Sequence, residues 1–290
     1  MMCLLLRFWL LLFVLVPAMP AVSSAVAAKP AIVLVAFGTS TPAAATYDFF
    51  EKQVRDGFPG YEIRWAFTSQ KVRAKVKKEQ GRDLKDLPQV LGDLKAAGFA
   101  QVAVQSLHVV PGEEWEEMVK ESEAIPGLQV SLGPPLLTSP EDRQRVLKAL
   151  EPAFPKDLKQ TAVVLVGHGS PHPRGEGEYL AFAELVRRRF PQQQAYLAVV
   201  AGKPTREEVL QKVKASSAQA VLFIPFLFVA GEHMAKDIMG DEPESWKSEL
   251  LKHKAYKIQA VDRGLGYQGG VVQVYLDHLA GALKKVSSEQ

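Results

Sequence analysis

Short apolar runs rich in Val, Ile and Leu alternate along the chain with longer stretches of helical periodicity. In the first half the runs predict strands at 32–36, 61–67, 102–107 and 128–132, and the periodic stretches predict helices at 42–57, 84–97, 113–123 and 140–150. The second half repeats the order. Strands are expected at 163–166, 195–200, 221–225 and 257–261, with helices at 175–190, at 205–214, from 232 with an interruption near Pro243, and at 270–285. Apolar runs without polar alternation suit strands buried on both faces. Strand and helix alternating at this spacing predict parallel sheets with right-handed crossovers.

The two halves also resemble each other residue by residue. AIVLVAFGTSTP (31–42) parallels AVVLVGHGSPHP (162–173), so Phe37 matches His168, Gly38 matches Gly169 and Thr39 matches Ser170. AQVAVQSLHVVPGEEWEEM (100–118) parallels AQAVLFIPFLFVAGEHMAKDI (218–238), which sets Gly112 on Gly231, Glu113 on Glu232 and Glu114 on His233. Internal repetition of this kind marks a duplicated unit. The expected fold is therefore α/β: two duplicated Rossmann-like lobes, 29–157 and 158–290, joined near 155–160, with parallel sheets facing each other across a cleft.

Residues 1–28 stand outside that scheme. Arg7 precedes an apolar run from Phe8 to Val16, Pro17 and Pro20 break it, and AVSSAVAA then offers Ala25-Val26-Ala27 or Val26-Ala27-Ala28 before Lys29. This is the order of a cleavable secretory signal, and the run is too short for a permanent span. A periplasmic protein without a membrane span is expected. The only cysteine, Cys3, lies in the leader and precedes its apolar run, which is not where a lipid-attachment cysteine sits. The mature chain thus relies on its core and not on disulfides. A net charge of +3 is too small to argue for nucleic acid. The one basic run, KVRAKVKK from Lys71 to Lys78, reads as a solvated helix face.

Candidate chemistry gathers at the strand ends. In open α/β sheets the carboxyl ends of the strands face the ligand crevice. His168 follows the run VVLV and sits between Gly167 and Gly169; His233 follows the third strand of the same lobe. From the opposite lobe, Glu114 holds the place matching His233. Two imidazoles and a carboxylate converging on a cleft suit a divalent transition metal. A turn histidine at 168 and a capping histidine at 233 are the plainer alternatives. His108 and His172 lie in loops, as surface histidines or as ligands of a second metal or a haem iron. His253 and His278 fall on helical patterns, where solvation is expected.

Taken together, the duplicated lobes, GHGS at 167–170, FLFVAGEHMAKDI at 226–238 and QSLHVVPGEEW at 105–115 resemble the class II tetrapyrrole chelatases, and most of all the anaerobic sirohydrochlorin cobaltochelatases. The resemblance spans essentially the whole mature chain. It implies insertion of Co²⁺, or Fe²⁺, into sirohydrochlorin, with no organic cofactor. His168 and His233 are then implied as metal ligands that assist deprotonation, and Glu114 (or Glu113) as the acidic group across the macrocycle. The family usually carries a metal-binding Glu in a V-E-G-x-P context; here the segment is VVAGKP and the position is Ala201. A methyl group cannot ligate a metal. Phe37, Gly38, Ser170 and Lys236 are candidate substrate contacts. Phe226 and Phe228 are candidate apolar walls, and Lys203, Arg206 and Arg263 are candidate cations for the carboxylates of the macrocycle. A homo-oligomer is expected.

Export and Ala201 favour a competing reading, a periplasmic carrier of metal or finished tetrapyrrole (haem) without turnover. A bilobal solute-binding protein is a third, but it predicts no histidine pair at the strand ends. A histidine phosphatase would need phosphate-binding arginines beside GHGS, and only Arg174 is near.

Overall fold

The computed structural model describes residues 29–156, 158–191 and 194–288, so the leader expected at 1–28 lies outside the described residues. The first sheet contains β1 (Ala31–Ala36), β2 (Ile63–Phe67), β3 (Gln101–Ser106) and β4 (Gln129–Gly133) in the order β2-β1-β3-β4. The second contains β5 (Thr161–Gly169), β6 (Ala195–Ala201), β7 (Ala220–Phe226) and β8 (Lys257–Ala260) in the order β6-β5-β7-β8. Every strand pair is parallel. The two sheets repeat one topology, as the duplicated sequence requires, and the central strands β1 and β5 are the VLV-rich runs buried on both faces.

The helices of the first half are α1 (Ala45–Gly57), α2 (Gln70–Gln80), α3 (Leu87–Ala96), α4 (Glu113–Ser122) and α5 (Pro140–Leu150). Those of the second are α6 (Pro173–Arg189), α7 (Arg206–Ala215), α8 (Trp246–His253) and α9 (Gly269–Ser288). Their starts are written in the sequence. Ser69 and Ser139 accept hydrogen bonds from the first-turn amides of α2 and α5, and Asp86–Gln89 and Thr205–Glu208 form capping boxes at α3 and α7. Of the long helix expected from 232, the structure keeps a π-helical turn, Met234–Ile238, and α8; Pro243 lies in the turn between them. Among the described residues no helix is long and apolar enough to cross a membrane.

Each sheet has its own outer core, and a larger core joins their inner faces. That shared core contains Ile32 and Leu34 of β1, Val163 and Leu165 of β5, and the apolar stripe of α9. Sequence division at 158 places α9 in the second lobe, yet it packs on β3 and β4 of the first. Gln101 Nε2 donates to the Val286 carbonyl at 2.7 Å, and the Tyr275 hydroxyl donates to the His108 carbonyl at 3.2 Å. His278 is half-buried between the Pro134 carbonyl (3.1 Å) and Asp142 (3.3 Å), not fully solvated as its helical position suggests. Burying a Val, Leu or Tyr of this stripe is worth about 1.5–3 kcal/mol each. The exchanged helix therefore ties one lobe to the other.

Candidate metal and macrocycle site

A cavity of about 300 Å³ opens where the C-terminal ends of β1, β3, β5 and β7 meet. His168 reaches it because the backbone on both sides of it is crowded. A Cβ on Gly167 would lie 2.7 Å from the Tyr179 ring, and one on Gly169 (φ +92°) would lie 1.6 Å from the Ala201 carbonyl oxygen. Only glycine fits either position, and the residue between them is turned out of the sheet into the cavity.

His233 opens the π-helical turn after β7, a distortion often found at functional sites. Its ring centroid lies 5.2 Å from that of His168. Its Nδ1 is 2.5 Å from Oδ2 of Asp237, one helical turn on. A carboxylate at that distance takes the Nδ1 proton as its hydrogen bond, which leaves the Nε2 lone pair free for a metal and fixes the ring. The GEHMAKD segment thus carries an imidazole and its orienting carboxylate at i and i+4.

The first lobe supplies the facing wall. Phe37, the residue matching His168, is 42% exposed and lies 5.9 Å from the His168 ring, so the duplicated strand ends face each other as the alignment implies. Glu114 lines the cavity from the first turn of α4, and Gly38 and Ser170 line it from the two turns. Ser170 is buried against Gly112, and its hydroxyl accepts the His172 amide at 3.2 Å. Phe228 is a wall, packed edge-on to Phe50 and Tyr275. Phe226 is not; it is fully buried and stacked on Phe182 at 4.6 Å.

In the sequence His108 reads as a loop histidine, on the surface or ligating a second metal or a haem iron, whereas the structure puts it in the main cavity. It lies one residue beyond Leu107 at the end of the third strand, lines the same cavity, and hydrogen-bonds Ser106 Oγ through Nδ1 at 2.9 Å. Burial holds its imidazole below the usual histidine range; Glu114 pulls it up and His168 pushes it further down. At neutral pH it is uncharged. The rule that placed His168 and His233, that first and third strands end at the cleft, applies to His108 as well. Tyr179, against the Gly169 and His168 backbone, and Tyr47, against Gly38, are both raised well above the ordinary phenol range by burial and stay protonated donors.

Several expected contacts fall elsewhere. Ala201 lies across the β5–β6 ladder from Gly169, exposed at the strand end and outside the cavity lining. Lys236 is also outside, its ammonium 2.6 Å from Glu232. Arg206 is tied to Glu249, the Arg263 guanidinium lies over the Tyr267 ring at 5.3 Å, and Lys203 is exposed beyond the cavity. A sequence pattern does not show which neighbour claims a charge, and Arg206, Lys236 and Arg263 are held by nearby acids or a ring. Among the described residues no three His, Cys, Asp or Glu side chains converge to metal-binding distance. Two imidazoles alone form an incomplete shell, which suits an ion that must be passed on.

Comparison with known proteins agrees with this architecture. Residues 30–284 match the family described as Cobalt chelatase (CbiK). The chain is 35% identical over 264 residues to the sirohydrochlorin cobaltochelatase CbiKC of Nitratidesulfovibrio vulgaris, covering 88% of this chain and 91% of that protein. It is 30% identical over 272 residues to the sirohydrochlorin cobaltochelatase of Salmonella typhimurium, covering 90% and 99%. Among solved structures it shares its fold with SirB from Bacillus subtilis with Fe³⁺ (TM-score 0.61, 17% identity, 91% and 98% covered). The chain belongs to the cobalt chelatase (CbiK) family.

Proposed function

We propose that the protein inserts Co²⁺ into sirohydrochlorin. The observation that carries the reading is the His168–His233 pair, 5.2 Å apart in the interlobe cavity, with His233 oriented by Asp237. Metal insertion requires that the ion shed water and that the two pyrrole N–H groups lose their protons. Neutral imidazoles serve both needs, holding the ion through one nitrogen and accepting protons near neutral pH. His168 and His233 would bind the incoming Co²⁺. Glu114, on the opposite wall with neutral His108 beside it, would accept protons from the other face of the ring. Protonated Tyr47 and Tyr179 supply hydrogen-bond donors to the same cavity.

A cavity of about 300 Å³ is at the lower end of ligand sites, so part of the macrocycle and its carboxylates would lie at the mouth. Names of the curated relatives support turnover, and nothing in the site favours the carrier reading. The leader supports export to the periplasm; N-terminal sequencing of secreted or periplasmic protein, expected to begin at Ala28 or Lys29, tests that part. For the activity, purified protein is mixed with sirohydrochlorin and either Co²⁺ or Fe²⁺ while the absorption spectrum is followed. Cobalt insertion well above the protein-free rate is expected. Insertion no faster than in buffer would refute the proposal.

A further inference from the structure

The cations expected to meet the macrocycle, Lys203, Arg206, Lys236 and Arg263, all lie outside the cavity, and a polyanionic ring still needs counter-charge. Among the described residues, the Lys and Arg side chains lining the cavity are Lys71 and Lys75, both on α2. They come from the basic run that reads as a solvated face. The structure places them one helical turn apart, on the side of α2 that carries Val72 against the β1 turn. That contact is tight, since a Cβ on Gly38 would meet Val72 Cγ1 at 3.1 Å. At the other end of the helix, Gln80 Nε2 donates to the Ser40 carbonyl at 2.9 Å. The helix is thus fastened at both ends to the loop bearing Phe37 and Gly38.

The two lysines differ in what they hold. Lys71 forms no ion pair among the described residues, though it lines the cavity. Lys75 faces Glu232 of the other lobe at 3.6 Å, too long for a strong hydrogen bond, while Glu232 gives its better contact, 2.6 Å, to Lys236. Lys236 first and Lys75 after it hold the Glu232 carboxyl below the usual range, so it is ionised. One cation at the mouth is therefore free, and the other is loosely engaged by a carboxylate already supplied with a better partner.

We propose that Lys71 and Lys75 recognise the acetate and propionate side chains of the macrocycle, and that Glu232 competes with those side chains for Lys75. The inference rests on the chelatase reading for the identity of the macrocycle. It explains why an anionic ring enters a cavity that also contains Glu114 and Glu232. Lysine suits the task because a flexible ammonium meets carboxylates at several angles without demanding bidentate geometry.

Direct titration of metal-free sirohydrochlorin, followed by fluorescence at several salt concentrations, tests this without any insertion step. Lys71→Gln and Lys75→Gln should each weaken binding about three- to fivefold, and the double variant about tenfold or more, with a flatter salt dependence. Co²⁺ affinity without the tetrapyrrole should stay within about twofold, which also shows that the variants are folded. Glu232→Gln should tighten binding, and the gain should shrink in the Lys75→Gln background. Lys71→Arg with Lys75→Arg should retain binding. A double Gln variant with parental affinity and parental salt dependence overturns the inference. If the parental protein binds sirohydrochlorin through these lysines yet inserts no cobalt, the proposed function fails and this assignment stands. No binding by the parental protein refutes both.

Discussion

Replacing Asp237 probes the site through a residue that need not touch the metal. Its Oδ2 lies 2.5 Å from His233 Nδ1, and the pair is joined within one turn of a π-distorted helix. Removing such a partner from a ligand histidine typically lowers metal affinity or activity about 10- to 100-fold, or about 1.4–2.7 kcal/mol. Here the side chains are 41% and 48% exposed, so solvent screens part of the interaction and the lower end applies. Asp237→Ala loses both the charge and the acceptor, and about a tenfold loss of Co²⁺ affinity is expected. Asp237→Asn retains an amide oxygen that can accept the same proton, so a smaller loss of a few fold is expected. Calorimetric titration of Co²⁺ into each variant, with insertion rates measured in parallel, gives both numbers. If Asp237→Ala keeps the parental affinity and rate, His233 is not oriented by Asp237 and the proposed ligand geometry is wrong.

Two further outcomes are expected. Because Ala201 is exposed and outside the cavity lining, Ala201→Glu should leave Co²⁺ affinity within about twofold of the parental value by calorimetry, and a gain of about tenfold or more would show that the end of β6 does reach the metal. Because the folded protein holds His108 below its unfolded value, the unfolded chain takes up the proton first. Stability should therefore be complete above about pH 6.5 and fall as the pH drops toward the depressed value, and His108→Gln should flatten that fall in denaturant titrations.

Much of this arrangement was legible in the sequence because strand runs and duplication are local signals. The match of Phe37 with His168 anticipates two rings 5.9 Å apart that come from opposite halves of the chain. What the sequence pattern could not carry is which surface receives a given face. The apolar stripe of α9 is plain, but only packing assigns it to β3 and β4. The basic run around Lys71 looks solvated because helical periodicity does not show that Val72 presses on the turn at Gly38. Ala201 is a third case. Motif alignment places it at the right strand end, while the structure sets it beside Gly169 and outside the cavity lining.

The central claim is that the facing histidines carry cobalt insertion. It is tested most directly by the rate of formation of cobalt-sirohydrochlorin, read from its absorption spectrum, for the parental protein, His168→Ala and His233→Ala under one buffer. The account predicts rapid insertion by the parental protein, with both Co²⁺ affinity and rate falling together by at least about tenfold in each variant. Parental rates in both variants would contradict it.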